Sequence, residues 1–165
     1  MLKAIVAVDE NWAIGNKNQL LFHLHEDMKR FKELTTNHMI IMGRKTLESF
    51  PGGKPLPNRK NVVITHDLHY QNPDVIVVHS IEEAVQCAAK ENLAWVVGGG
   101  SIYKAILPYC NGVSVTKIHS KAPEADTYFP NLDLDSSWSC PYSSSVKREG
   151  EIDYSFAEYA RFSIF

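Results

Sequence analysis

The 165-residue sequence lacks the features that mark membrane, secreted and nucleic-acid-binding proteins. No apolar run approaches the roughly 18 residues that a membrane span needs. The opening run MLKAIVAV is too short for a signal-peptide core and meets Asp9 and Glu10 at once. The 17 basic and 19 acidic residues give a formal charge of −2, so no basic surplus favours nucleic acid as the main partner. We therefore expect a cytoplasmic protein with no membrane partner.

Cysteine is scarce, and no metal-binding or nucleophile motif is present. Cys87, Cys110 and Cys140 are odd in number and too widely spaced for a zinc motif, so we interpret them as reduced thiols of an intracellular protein. His23 and His25 are two residues apart, which does not place two ligands on one helix face. The sequence also contains no P-loop, nucleophile elbow or Cys–His signature. We predict neither a metal site nor a covalent nucleophile.

Short apolar segments alternate with helical segments along the chain. Strands are predicted at 2–8, 38–42, 61–65, 75–79, 94–97 and 113–119, and helices at 24–35, after Gly43, at 81–91 and at 101–107. This alternation predicts an α/β fold with a mainly parallel central β-sheet flanked by helices, closed by a C-terminal antiparallel hairpin. We expect a single domain over residues 1–165. The segment 9–21 is interpreted as a long loop that serves as a functional lid.

Asp27 is the first candidate functional residue. In a helix that begins near residue 24 or 25, the apolar side chains share one arc, as a core-facing stripe does: Leu24, Met28, Phe31, Leu34 and Thr35. Asp27 lies inside the same arc, and burial of an ionised carboxylate is costly and raises its pKa. The alternative is that Asp27 only complements the helix dipole from the first turn, but Glu26 would do so equally well from the solvent side. We favour a functional role because perturbed ionisable groups cluster at sites.

Two glycine-containing turns suggest a dinucleotide. The segment WVVGGGSIYKAI is a strand, a triple glycine and a helix start, where glycine lets the backbone approach an anion closely; three glycines could also form only a tight turn. The segment MIIMGRKT repeats the arrangement with two cations at the helix start, which is unfavourable unless an anion lies between them. Two such turns in one parallel sheet suit a diphosphate.

The residues near the ribose indicate whether the site binds NAD or NADP. A basic residue there marks a 2′-phosphate, whereas an acid marks a free 2′-hydroxyl. Arg44 follows one predicted strand, and Thr65 and His66 lie at the end of a neighbouring one, which favours NADP. Asp67 is the counter-evidence, because an acid that pointed inward there would weaken this preference. With a nicotinamide cofactor and one buried acid, and with no nucleophile or metal, the remaining chemistry is hydride transfer accompanied by one proton.

At this point the chain resembles the dihydrofolate reductases, of the small single-chain bacterial kind. The blocks that carry the resemblance follow one another in the family's order: AVDENWAIG, HLHEDMKRFKELT, IIMGRKTLESF, PLPNRKNVVIT, VVGGGSIYKAILP, VTKIH and ADTYFP. The resemblance implies that NADPH reduces 7,8-dihydrofolate by hydride transfer to C6 with protonation at N5. It also implies a monomer that binds dihydrofolate and antifolate-type small molecules.

The resemblance also assigns roles to individual residues. Asp27 stands where the family's acid hydrogen-bonds the pterin 2-amino group and N3, with Thr116 linked to the same acid, and Arg59 matches the arginine that holds the glutamate tail. The substrate pocket implied is lined by Ile5, Val6, Leu20, Met28, Phe31, Phe50, Leu56 and Val97. The cofactor contacts implied are Ala7, Ile14, Gly15, Asn18, Gly43, Arg44, Lys45, Thr46, Thr65, His66, Val97, Gly99, Gly100, Ser101, Ile102 and Tyr103. Gly98–Gly99 matches the family's cis peptide bond.

The departure from the family pattern lies at Leu21 and Phe22, where the family usually shows proline and tryptophan. Phe22 keeps the catalytic position, but phenylalanine has no N–H with which to hold an active-site water. The first alternative function is a reductase of another pteridine or of a pyrimidine; Arg59 argues against it, because such substrates lack the glutamate carboxylate. The second is a non-catalytic nucleotide-binding module, which has no use for a buried lone acid such as Asp27.

Overall fold

The computed structural model describes residues 1–16, 19–20, 22–122 and 124–162. The strands are β1 Leu2–Val8, β2 Ala13–Asn16, β3 Gln19–Leu20, β4 Met39–Gly43, β5 Lys60–Ile64, β6 Ile76–Val78, β7 Ala94–Gly98, β8 Gly112–Ile118, β9 Thr127–Tyr128, β10 Trp138–Ser143, β11 Lys147–Glu149 and β12 Ile152–Arg161. The helices are α1 His25–Thr35, α2 Arg44–Ser49, α3 Ile81–Ala89 and α4 Gly100–Ile106, with short 3-10 turns at Pro51–Gly53, Leu107–Tyr109 and Leu132–Leu134.

The central sheet is mainly parallel, as the sequence predicts. Its strand order within the described residues is β10-β12-β8-β1-β7-β4-β5-β6, and β11 also pairs with β12. The pairings from β8 through β1, β7, β4 and β5 to β6 are parallel. The pairings of β12 with β8, β10 and β11 are antiparallel, so the predicted closing hairpin is confirmed. Parallel strands covered on both faces need continuous apolar runs, and Ile40, Ile41 and Met42 of β4 are fully buried.

Apolar clusters cover both faces of this sheet. One face carries the larger cluster, in which Trp12, Phe129 and Tyr159 are in ring contact. The other face carries a cluster built around Leu47 and Trp95. Because β4 pairs in parallel with both β5 and β7, the carboxyl ends of these three strands meet at one end of the sheet, which is where ligands bind in such folds.

The segment after β1 differs from the predicted loop. Ala13–Asn16 and Gln19–Leu20 form a small antiparallel sheet with Thr127–Tyr128, so the assignment of 9–21 as irregular loop is wrong for these residues. The cause is Asp9, a buried carboxylate whose oxygens accept hydrogen bonds from the backbone N–H groups of Asn11, Ala13 and Ala122. Leu21 lies outside the described residues.

The remaining differences concern the ends of elements. Ser80 caps α3 by accepting from Glu83 N–H at 3.1 Å, while the Glu83 carboxylate accepts from His79 N–H rather than from the capping residue itself. Within the closing hairpin, Lys147–Glu149 forms the extra strand β11, and a turn follows it at Gly150 and Glu151. Element ends depend on tertiary partners, and here β11 is fixed by pairing with β12.

Candidate active site

Asp27 lies in the first turn of α1, against the sheet. Its Oδ1 accepts a hydrogen bond of 2.5 Å from the Thr116 hydroxyl on β8. Burial raises the pKa of the Asp27 carboxyl; the Thr116 hydrogen bond and the Arg30 charge oppose this effect, and the Glu149 charge adds to it. The carboxylate is therefore a group that binds a proton more readily than an ordinary aspartate does.

The helix face that carries Asp27 is less covered than the sequence predicts. Leu24 and Thr35 are buried, but Met28 is 58% exposed, and Phe31 and Leu34 are half-buried. The prediction of a purely core-facing stripe is wrong for Met28. A stripe of apolar side chains that is partly open, with one carboxylate at its end, is the arrangement that a ligand-binding surface requires.

β1 connects Asp27 to the glycine turn. Ala7 pairs with Thr116, and the Ile5 carbonyl accepts a hydrogen bond of 2.6 Å from the Tyr103 hydroxyl on α4. Tyr103 is buried, and burial raises the pKa of its hydroxyl, with the Asp27 charge as a second cause. Tyr103 thus ties the start of the glycine-turn helix to the strand that pairs with Thr116.

The two glycine turns lie side by side. Met42 of β4 pairs with Gly98 of β7. A Cβ placed on Gly43 would lie 3.2 Å from Ile102 Cγ1, and a Cβ on Gly98 would lie 3.5 Å from Thr46 Oγ1. The Gly98–Gly99 peptide is cis, as the resemblance implies. The backbones of both turns are therefore close together, which is what a shared diphosphate site requires.

Gly100 packs against the small sheet that contains β9. A Cβ at this position would lie 2.4 Å from Thr127 Cγ2, far inside van der Waals contact. We expect Gly100→Ala to lower the free energy of unfolding by about 1–3 kcal/mol, as overpacking does. Urea unfolding measures the change, and Thr127→Ser, which removes that methyl group, should restore most of the loss in the double variant. If Gly100→Ala is as stable as the wild type, or more stable through better helix propensity, the contact does not constrain this position.

Arg44 lies at the start of α2, with acids around it. Its Nε donates to Glu48 Oε1 at 2.8 Å, its Nη1 to Asp67 Oδ2 at 3.3 Å, and its guanidinium lies 4.5 Å from the centre of the Tyr70 ring. Gly43 pairs with Ile64, so Arg44 and the segment that follows β5 lie at the same edge of the sheet. Asp67, the residue that argues against a 2′-phosphate, is aimed at Arg44 and compensates its charge.

Arg59 lies at the other end of α1 from Asp27. Its Nε donates to the Pro57 carbonyl at 2.9 Å, and its Nη1 donates to Thr35 Oγ1 at 3.3 Å. Partial burial lowers the pKa of the guanidinium. Within the described part of the chain, no carboxylate forms an ion pair with it. Two hydrogen bonds thus hold the Arg59 guanidinium in place, and its positive charge has no acidic partner among the described residues.

Asn61 holds the Arg59 loop, a role that the sequence did not reveal. Its side-chain oxygen accepts from Leu56 N–H, and its amide donates to the carbonyls of Leu56 and Arg59. An asparagine that directly follows a loop of prolines and cations is the only signal that could have indicated it.

The other predicted site residues take the following places. Among the predicted pocket residues, Val6 is buried, while Ile5, Phe50, Leu56 and Val97 are half-buried. Gly15 is buried, Ala7, Ile14, Thr46, Thr65, Gly99 and Ile102 are half-buried, and Lys45, His66 and Ser101 are exposed. Phe22 is half-buried and packs against a small cluster with Leu24 and Phe156. Leu20 lies in β3, and Asn18 lies outside the described residues. The roles of all these residues stay predictions.

Three further observations concern the described ranges alone. No cluster of three histidine, cysteine or acidic residues there could hold a metal ion. No helix there is long and apolar enough to cross a membrane. Cys87, Cys110 and Cys140 are free thiols.

The chain is similar over nearly its whole length to known proteins of one family. A family model described as dihydrofolate reductase matches residues 1–161. A dihydrofolate reductase of Bacillus subtilis is 37% identical over 163 residues, covering 98% of this chain and 95% of that protein. One from Staphylococcus aureus is 39% identical over 152 residues, covering 92% and 89%. A solved structure of dihydrofolate reductase from Enterococcus faecalis, complexed with NADP(H) and RAB-propyl, has a TM-score of 0.89 at 36% identity and covers 99% of this chain and 97% of that chain.

Proposed function

Because the chain belongs to the dihydrofolate reductase family, we propose that it reduces 7,8-dihydrofolate to 5,6,7,8-tetrahydrofolate with NADPH. A hydride leaves C4 of the nicotinamide with its electron pair and bonds to C6 of the pterin, and N5 gains one proton, so that NADP⁺ and tetrahydrofolate result. We further propose that the enzyme acts as a cytoplasmic monomer supplying one-carbon metabolism, and that antifolate-type small molecules bind the same pocket.

The observation that carries the proposal is the pair of polar anchors along α1. Asp27 is the third residue of the helix and Arg59 contacts its last residue, Thr35. Eight residues of helix rise about 12 Å, so the acid and the guanidinium that contacts Thr35 are about two turns apart. A dihydrofolate molecule has a pterin ring at one end and a glutamate carboxylate at the other, and the half-exposed apolar side chains between the anchors suit its benzoyl part.

Asp27 and Thr116 have defined roles in this proposal. A carboxylate can accept hydrogen bonds from the 2-amino group and N3–H of the pterin together, and the Thr116 hydroxyl fixes its orientation. The ring is then presented with N5 and C6 toward the nicotinamide, and the alignment supplies much of the rate enhancement. Because the pKa of Asp27 is raised, its carboxylate binds a proton more readily than an ordinary aspartate does, so the site retains affinity for a proton while N5 becomes basic.

The glycine turns have the properties that an NADPH site needs. The turns at Gly43 and Gly98–Gly100 are adjacent in the sheet, and closely packed side chains leave no room for a Cβ at Gly43 without adjustment. Backbone N–H groups at these turns would hold the diphosphate, and Arg44, Thr65 and His66 would surround the 2′-phosphate. NADPH itself supplies the hydride when it is bound.

The proposal is tested by mixing the purified protein with NADPH and dihydrofolate and following absorbance at 340 nm. We expect a fall in absorbance that depends on both compounds. A protein that oxidises NADPH only with another pteridine or with a pyrimidine would belong to the alternative class of reductase. A protein that binds NADPH but oxidises it with none of these would be a binding module.

Two substitutions should change the preference for NADPH over NADH in opposite directions. Arg44→Ala removes the cation proposed for the 2′-phosphate, and we expect it to raise the KM for NADPH about tenfold or more, with little effect on the KM for NADH. Asp67→Asn removes the acid that competes for Arg44 and should lower the KM for NADPH. Steady-state kinetics with both cofactors measure the two changes. If the wild type uses NADH and NADPH equally, the 2′-phosphate assignment fails.

A further inference from the structure

The amino end of α1 is capped by a residue from the other end of the chain. The capping position is Leu24, whose side chain makes no capping hydrogen bond. Instead, the carboxylate of Glu149 on β11 accepts from His25 N–H at 2.9 Å and from Glu26 N–H at 3.3 Å. These are two of the N–H groups that a helix leaves unpaired in its first turn, and a carboxylate there also complements the helix dipole.

Two further contacts join the same turn of α1 to the C-terminal hairpin. The Tyr154 hydroxyl on β12 donates to the Glu26 carboxylate, and Lys147 Nζ lies 3.7 Å from Glu26 Oε1. His25 Nδ1 also lies 3.3 Å from Glu149 Oε2. The helix turn that carries Asp27 is therefore attached to β11 and β12 by side chains.

The hairpin is in turn fixed to the strand that carries the partner of Asp27. β11 pairs with β12 through Glu149 and Ile152, and β12 pairs with β8, where Phe156 lies opposite Thr116. A chain of direct contacts thus runs from Glu149 through the hairpin to Thr116, and from Glu149 through the helix end to Asp27. The two ends of this chain meet in the hydrogen bond between Thr116 and Asp27.

We propose that Glu149 is a positioning residue for the reaction, because its carboxylate caps α1 and so fixes the Asp27 carboxylate against Thr116. Glu149 does not touch the reacting atoms and acts through the helix end. This inference rests on the proposed role of Asp27 in the reductase reaction. The residues that titrate or carry charge around the cap are His25, Glu26, Asp27, Arg30, Lys147 and Tyr154.

The test compares three variants with the wild type by single-turnover hydride transfer and by NADPH affinity. We expect Glu149→Ala to lower the hydride-transfer rate about tenfold, since sub-ångström displacement of a positioning group has effects of this order, while the Kd for NADPH stays within about twofold. Glu149→Gln keeps a side-chain oxygen that can accept from His25 N–H, so it should retain most of the rate. Glu151 is exposed in the adjacent turn, and Glu151→Ala is a matched control that should behave as the wild type.

A second readout follows Asp27 without relying on activity. Because the Glu149 charge raises the pKa of Asp27, both Glu149 variants should lower that pKa, and carboxyl NMR titration should detect the shift, whereas Glu151→Ala should leave it unchanged. The double variant Asp27→Asn, Glu149→Ala should be no slower than Asp27→Asn alone, since the two residues act as one unit.

Wild-type hydride transfer in Glu149→Ala would overturn the inference. So would an equal loss of rate and NADPH affinity, because that pattern indicates general loosening of the structure. If Asp27→Asn alone retains the hydride-transfer rate, the proposed function of Asp27 is refuted instead. The NMR titration of Asp27 in the Glu149 variants would still report on the cap.

Discussion

Asp27→Asn is expected to lower hydride transfer to dihydrofolate by about two to three orders of magnitude near neutral pH, while NADPH binding and the fold are retained. An asparagine cannot accept two hydrogen bonds from the pterin edge as a carboxylate does, and it does not take up a proton. The expected loss is of the size that general acid–base groups contribute to rates. Single-turnover absorbance or fluorescence measurements give the rate, and NADPH titration gives the control.

The same variant should be more stable than the wild type. The folded-state pKa of Asp27 is raised above the ordinary value of 3.8, so folding is penalised when the group is ionised. That penalty is absent when the pH lies well below 3.8, because Asp27 is then protonated in both the folded and the unfolded protein. It grows as the pH rises through the folded-state pKa. We therefore expect Asp27→Asn to raise Tm at neutral pH, and the difference to disappear in acid.

The pH profile of the wild type provides a check on this role. Hydride transfer should decline as the pH rises, because the proton required at N5 becomes limiting, and the midpoint should lie above the pKa of an ordinary aspartate. A rate that is independent of pH, or an Asn variant that keeps most of its turnover, would remove Asp27 from the mechanism.

Arg59→Lys is expected to weaken dihydrofolate binding about ten- to hundredfold, the loss that follows when a paired, charge-assisted hydrogen bond is broken. An ammonium group cannot reproduce the two parallel hydrogen bonds that a guanidinium makes with a carboxylate. In the structure, Nε and Nη1 of Arg59 are turned toward Pro57 and Thr35, so the side chain is already held before it meets a ligand. Calorimetric titration of the substrate measures the effect.

Two controls separate carboxylate binding from support of the fold. A pterin without the glutamate tail should bind the wild type and Arg59→Lys equally well. Arg148→Lys makes the same chemical change on β11, where the guanidinium donates to the Gly150 carbonyl, and should leave dihydrofolate affinity unchanged. An equal loss for dihydrofolate and for the truncated pterin would mean that Arg59 holds the loop rather than the substrate.

The sequence alone determined the features that depend on local pattern. Apolar strands of four to seven residues placed β1, β4, β5, β7 and β8 within a residue or two, because a strand buried on both faces leaves a continuous run in the sequence. The same reasoning identified Asp27, since a carboxylate within an apolar helical arc is visible without coordinates. The two glycine turns were also visible as patterns.

Only the tertiary structure decided which distant residues meet. The small sheet of β2, β3 and β9 joins segments more than one hundred residues apart. Strands as short as these have too few residues for a local periodicity to predict them. The exposure of Met28 depends on what covers α1, not on the spacing of its apolar residues. The cap that Glu149 places on α1 connects residues 25 and 149, and Asp67 compensates the charge of Arg44 across 23 residues. Contacts of this kind are set by how the sheet brings strand ends together, so local patterns in the sequence supplied residues of the site but not their partners. Only the family resemblance, and no local pattern, paired Asp27 with Thr116.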